Sequence, residues 1–231
     1  MDYVGPWLPE NFESESSENA EMRLEIASSL STAFLLMLER LTPRERAAYL
    51  LHDIFDMPHL DVGETLGLTT ENARKLSSRA RRMITKENVR FVPSRKRQDQ
   101  LLTAFTSALQ SGDTRTLVDS LSEDVDLRAD SGGKVTAVRH ILSGRDEVSA
   151  FIQSTLSQAW AEARIESRVT NGLPSLMIWE GDHLHAAISF SYGSDQLIRG
   201  IFIQRHPDKL AALLQTMGQL GAKGALSFKA N

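Results

Sequence analysis

Hydrophobic residues fall along this chain in two regimes. From about residue 28 to residue 91 they recur at three- and four-residue spacing, as in Leu30, Phe34, Leu38 and Leu41, which predicts helices that each bury one face. From about residue 121 the spacing shortens toward alternation, in segments divided by Gly, Asn and Asp, which predicts strands. Residues 1–27 follow neither rule. Gly5, Pro6 and Pro9 precede a stretch rich in Glu, Ser and Asn that has little to bury, so a linker is expected there. Trp7 and Leu8 are out of place in such a segment and are expected to dock on something.

Within the helical regime, Thr42-Pro43-Arg44-Glu45 predicts a helix start: Thr42 as N-cap, Pro43 in the first turn, and Glu45 three residues after the cap. That helix runs through Ala47, Leu50, Leu51 and Ile54 and ends at Met57-Pro58. The stretch from Leu60 to Leu76 then reads as a helix-turn-helix. Its first helix covers 61–66, with Gly63 where two helices must approach closely. Gly67 supplies a left-handed turn, Leu68 plugs the core and Thr69 caps the second helix. On the second helix Ala73, Leu76, Ala80 and Met83 share the inward face. Glu71, Arg74, Lys75, Ser78 and Arg82 face outward, flanked by Asn72 and Arg79. Arginine bridges guanine edges, and arginine or lysine neutralises phosphates, so this face suits a major groove. The competing reading is an ordinary helical hairpin with a charged outer face. The order of small residue, Gly turn and Thr cap at this spacing favours DNA binding.

Arg95-Lys96-Arg97 reads as a second linker. Beyond it a helix over 101–109 breaks at Ser111-Gly112-Asp113, and a short helix over 117–121 follows. Strands are predicted over 125–129 and 135–140, around the turn Ser131-Gly132-Gly133, and a helix over 148–161. Four more strands are predicted over 165–169, 176–179, 184–191 and 197–204, separated by hairpin-turn residues such as Asn171-Gly172. Helices followed by an antiparallel meander is the order of a cone-shaped α+β fold with a curved antiparallel sheet. Residues 216–231 are expected to be a frayed tail.

Charge sharpens this division. The net charge of −4 conceals seven acidic residues against Arg23 alone between Asp2 and Glu25, and a basic block from Glu71 to Arg97 opposed only by Glu71 and Glu87. A basic block inside an acidic chain points to a local polyanion contact, although a solvated basic helix has the same composition. The 231 residues suffice for two small domains. There are no cysteines, which removes disulfides and thiolate chemistry. No apolar run is long enough to span a membrane, and the acidic start lacks a basic-then-apolar leader, so a cytoplasmic address without membrane contact is expected.

Several segments together resemble the extracytoplasmic-function (ECF) sigma factors. Leu41 to Ala47, His52 to Asp56, the helix-turn-helix and Arg79-Ala80-Arg81-Arg82 resemble their region-four domain. Val4-Gly5-Pro6-Trp7-Leu8-Pro9-Glu10 resembles the linker of a subgroup that carries a SnoaL-like (NTF2-like) C-terminal extension. Asp130-Ser131-Gly132-Gly133-Lys134 resembles that subgroup's Asp-Gly-Gly-Gly motif, with Ser131 departing from Gly. Arg205-His206-Pro207-Asp208-Lys209-Leu210 resembles its Asn-Pro-Asp-Lys-Leu motif, with His206 departing from Asn. The resemblance implies a linker over 1–27, a region-four domain over 28–92, a SnoaL-like domain over 98–215 and a tail. It implies recognition of the minus-35 promoter element, docking on the flap of RNA polymerase, and regulation by the fused extension. The family's region-two domain would lie before Tyr3. On this reading the chain is a piece of a longer factor, or a decoy that binds polymerase without initiating.

A cone has a pocket, so an enzyme of cyclase or isomerase type with a tethered DNA-binding module is the alternative. Its candidate groups are Asp126, Arg128, Asp130, His140, Trp160, Trp179, His183 and His185. A buried, desolvated Asp beside a His would favour it. His183 and His185 with an acid are also a weak metal pattern, and neither a metal nor a cofactor is expected. The bland reading makes Trp179, Phe190, Ile201 and Phe202 core, around a vestigial or small-ligand pocket. The expected regulatory contact joins Trp7 to the turn of Asp130, Gly132, Gly133 and Lys134, and to Pro207, Asp208, Lys209 and Leu210.

Overall fold

The computed structural model of the chain describes residues 5–13, 31–86 and 91–227. Expectations for 1–4, 14–30, 87–90 and 228–231 lie outside those residues.

Among the described residues, four helices form the first unit. Ser31 caps α1 (Thr32–Glu39) by accepting from the Phe34 amide. Thr42 and Glu45 complete the reciprocal capping box on α2 (Pro43–Tyr49), which widens into a π-helical turn over Leu50–Ile54. α3 (His59–Leu66) ends on Gly67 in the left-handed conformation, and α4 (Thr70–Lys86) follows. Thr69 accepts from the Asn72 amide at 3.3 Å, as its N-cap role requires. A Cβ on Gly63 would sit 2.9 Å from the Leu68 carbonyl oxygen, so the α3–α4 turn closes only over glycine.

The inward face of α4 differs from the sequence expectation. Ala73, Ser77, Ala80 and Ile84 are buried, Leu76 is half-buried and Met83 is exposed. The buried stripe lies one position further along because α2 presses directly on it. Ser77 fits there because its hydroxyl donates to Ala73 O at 3.1 Å or Ala48 O at 3.2 Å. Phe34, Met37, Leu38, Leu41 and Tyr49 join Ala80 and Ile84 in this small core.

The second unit opens with α5 (Arg95–Ser111), capped by Ser94. Arg95-Lys96-Arg97 is therefore the first helical turn, not a linker. A short α6 (Arg115–Val118) leads to β1 (Leu121–Asp130) and β2 (Leu142–Ser143). Next come α7 (Arg145–Phe151), a π-helical turn over Ile152–Leu156 and α8 (Ser157–Ala159). The meander β3 (Arg164–Thr170), β4 (Leu173–Glu180), β5 (His183–Tyr192) and β6 (Ile198–Gln204) precedes α9 (Pro207–Ser227).

The sheet runs β2-β1-β6-β5-β4-β3, and β1 lies parallel to β6. It is thus mixed, where a wholly antiparallel sheet was expected. β1 reaches β6 only after two helices and four other strands, so no hairpin dictates its direction. The expected strand at 135–140 is absent. Gly132 and Gly133, both at positive φ, turn the chain sharply, and β1 pairs with Leu142–Ser143 instead. The last helix continues through the expected tail to Ser227.

Strand alternation gives the sheet two different faces. Phe190, Ile201 and Ile203 point inward with Phe105, Val148, Ile152 and Trp160, and form the main core. On the outer face Leu210 and Leu213 of α9 cover Met177, Leu184 and Ala187, with half-buried Trp179 beside them. Phe202, also expected in the core, is buried on this outer face against Leu8 and Ala33.

Candidate nucleic-acid interface and linker clamp

Helix α4 presents Glu71, Asn72, Arg74, Lys75, Ser78, Arg79 and Arg82, and all seven are exposed. Glu71 and Lys75 pair at 2.7 Å along the helix. Arg81, from the same basic block, is exposed but engaged: its guanidinium binds Asp53 of the π-helical turn at 2.6 Å, and that hydrogen bond raises its pKa. Arg74, Arg79 and Arg82 thus remain on the outer surface, while Arg81 fastens α4 to the element beneath it. His52 and His59 stack at 3.6 Å between ring centroids beside this junction, and His52 Nδ1 lies 2.9 Å from Met57 O. Burial, then His52, Arg74 and Arg81, hold His59 below the ordinary histidine range, against Asp53.

The second constellation lies on the outer face of the cone. Asp130, at the end of β1, is almost fully buried. Its Oδ2 accepts from the Leu8 amide at 3.0 Å and from Lys209 Nζ at 2.7 Å, and its Oδ1 accepts from the Gly132 amide at 2.9 Å. Lys209, on the first turn of α9, also donates to Leu8 O at 2.6 Å and lies 4.7 Å from the Trp7 ring centroid. One buried ion pair thus grips both backbone groups of Leu8. A Cβ on Gly132 would overlap the His206 ring at 2.1 Å, so the two motif segments interlock only over glycine. Lys134 pairs with Asp208 at the rim. Gly133, Pro207 and Leu210 shape the turn and the helix start.

The buried anchor of the linker is Leu8, 1% exposed, whereas Trp7 is 51% exposed. Leu8 fills a site between Phe202 of β6 and Ala33 of α1. Further along, Gln204 Nε2 donates to Pro9 O at 3.4 Å, and Asn171 accepts from the Phe12 amide at 2.9 Å while its own amide donates back to Phe12 O at 2.9 Å. Thr32 of α1 and Ser189 of β5 share a hydrogen bond at 2.9 Å. Linker, first helix and cone therefore meet on one surface. Sequence reading missed Gln204, Asn171 and His206. Asn171 was visible only as turn chemistry, and its second use in binding a distant backbone has no local signal.

The candidate catalytic groups scatter. Asp126 pairs with Arg128 at 3.0 Å, and His140 and His183 are exposed. Trp179 stacks under Arg164, whose guanidinium is 4.9 Å from the ring centroid. Asp130 faces Lys209 rather than a histidine. Trp160 and His185 both line one inner cavity. Among the described residues no cluster of three or more metal-ligating side chains occurs, and no helix is long and apolar enough to cross a membrane.

Residues 31–84 match the family described as Sigma-70, region 4. The chain is 32% identical over 155 residues to the ECF RNA polymerase sigma factor SigJ of Mycobacterium tuberculosis, over 65% of this chain and 49% of that protein. It is 26% identical over 207 residues to the probable ECF RNA polymerase sigma factor SigI of the same species, over 89% of this chain and 68% of that protein. The chain thus spans about half the length of the first of these relatives and two thirds of the second. The crystal structure of Mycobacterium tuberculosis SigJ superposes with a TM-score of 0.70 at 27% identity, over 90% of this chain and 76% of that one.

Proposed function

We propose that this chain, which carries a sigma-70 region-4 module and is similar over most of its length to ECF sigma factors, recognises promoter DNA through α4 as part of such a factor. The observation that carries this reading is the outward face of α4. Arg74, Arg79 and Arg82 are exposed on the second helix of a helix-turn-helix, with exposed Asn72 and Ser78 beside them. Guanidinium groups so placed suit phosphates and guanine edges of a minus-35 element. Phe55 and Leu60, which flank the α2–α3 connection and are 70% and 57% exposed, are apolar surface available to the polymerase flap.

In the same reading the cone regulates by position. The DNA-facing residues are uncovered in this arrangement, so restraint acts through the linker and α1, both held on the sheet by Leu8, Thr32 and the Asp130–Lys209 pair. The test is fluorescence anisotropy of the chain with promoter-like and scrambled duplexes at two salt concentrations. Specific binding is expected, with Arg74→Ala and Arg82→Ala each weakening it and each lowering the salt slope by about one. Equal affinity for both duplexes would overturn promoter recognition.

A further inference from the structure

Alternation along β1 and β6 gives the end of the sheet two distinct sides. Asp130 and Gln204 face the linker, while Ala129, Ile203 and Arg205 line an inner cavity of about 310 Å³. That volume is at the lower end for small-molecule sites. Val138, Phe151, Leu156 and Trp160 complete a largely apolar wall.

The polar groups in this wall are few, and they converge. In the β4–β5 ladder Ile178 pairs with Ala186 and Trp179 with Leu184, so His185 is the extra residue of a β-bulge. Regular alternation would send His185 outward, opposite to Ala186, but the bulge brings it into the cavity wall. Arg205 contacts His185 Nε2 and donates to Thr136 O. An arginine only donates, so Nε2 is the acceptor and the imidazole proton sits on Nδ1, 3.3 Å from Glu180 Oε2. His185 is accordingly neutral. Burial first, and then Arg205, hold its pKa below the ordinary range against Glu180.

Arg205 is the exception in this set. Its guanidinium is half-buried, its Nε is buried without an acceptor, and among the described residues no carboxylate lies within ion-pair distance of it. The nearby Glu180 carboxylate contacts His185 instead, and half of that side chain is in solvent. A half-buried cation held by one carbonyl and one imidazole lacks an anionic partner. Its position at one end of an apolar cavity matches a ligand with a single negative group on a compact hydrophobic body.

We propose that the inner cavity of the cone is a binding site for a small apolar monocarboxylate, with Arg205 pairing with the carboxylate and Phe151, Leu156 and Trp160 packing on the body. The site lies on the opposite side of β1 and β6 from the linker, and its assignment is independent of how α4 is used. Isothermal titration of the intact chain with 2-naphthoate and with its neutral counterpart 2-naphthamide tests it. Saturable one-to-one binding of 2-naphthoate is expected, at least tenfold tighter than the amide. Arg205→Met should weaken naphthoate binding at least tenfold with little effect on the amide, and Arg205→Lys should keep part of the preference. Ala159→Phe fills the cavity without touching Arg205 and should abolish binding of both, with an unchanged circular dichroism spectrum as the folding control. Equal affinity for acid and amide would overturn the proposal. So would the absence of saturable binding with 2-naphthoate and cinnamate at millimolar concentration.

Discussion

Asp130 shows how much rests on one side chain in this protein. Its carboxylate is 1% exposed, and the paired Lys209 side chain is 12% exposed. Removing one partner strands a buried charge, and so costs more than the pair itself contributes. Asp130→Asn should destabilise the chain by about 3 kcal/mol in urea titration, and Lys209→Met by a similar amount. The double variant should cost clearly less than the sum, because neither charge is then unpaired. Strict additivity would mean that the two side chains do not act as a unit. A second effect at this scale concerns pH. His59 and His185 both have folded-state pKa values below the ordinary histidine value. Near pH 8 both are neutral, folded or unfolded, and contribute nothing. As pH falls through about 6.5 the unfolded chain takes up protons first, so stability declines until the folded values are reached. The carboxylates with lowered pKa, such as Asp113 at about 2, act only in the acid range below this window. Stability should therefore drop as pH falls below about 7, and His185→Gln should flatten that slope. An unchanged slope in this variant would show that His185 is not desolvated as described.

At the scale of elements, the α3–α4 turn is set by a distance that only glycine satisfies. Gly63→Val places a branched side chain against the Leu68 carbonyl and the Thr70 amide, and should cost about 3 kcal/mol. Gly218→Ala, in a helix with open space around it, is the control and should be neutral or slightly stabilising. Thermal unfolding of both variants measures the difference. Most elements were legible in the sequence because their signals are local. Thr42 and Glu45 announced a helix start, Gly67 a left-handed turn, and Asn171-Gly172 a hairpin. Errors came where a local signal competed with a distant one. The basic triplet at Arg95 looked like a linker, yet Ser94 caps it into a helix whose apolar face lies further on. Residues 135–140 alternate like a strand, but the preceding glycines and the Arg205–Thr136 contact carry them away from the ladder.

Across the whole molecule, the linker and α1 act as a strap over the outer face of the sheet. Leu8 is its deepest point, wedged between Phe202 and Ala33 and held by backbone bonds to Asp130 and Lys209. Leu8→Asp puts a charge into that site, next to Asp130, and should release the strap while leaving both helical and strand cores intact. Small-angle scattering should then show a larger radius of gyration with an unchanged circular dichroism spectrum. An unaltered radius would mean that Thr32 and the remaining contacts hold α1 to the cone without Leu8.

The amino-acid sequence by itself determined most of the elements, their order, and which residues of α4 meet solvent, because periodicity, caps and turn residues act within a few positions of themselves. It also marked Trp7, Asp130 and Lys209 as belonging to one contact, through motif resemblance and not through physics. Tertiary structure decided that Leu8, not Trp7, is buried there, that β1 runs parallel to β6, and that a bulge brings His185 to Arg205. Each of these depends on residues far apart in the chain meeting across a sheet. No local spacing encodes which side of a strand a distant charge will occupy.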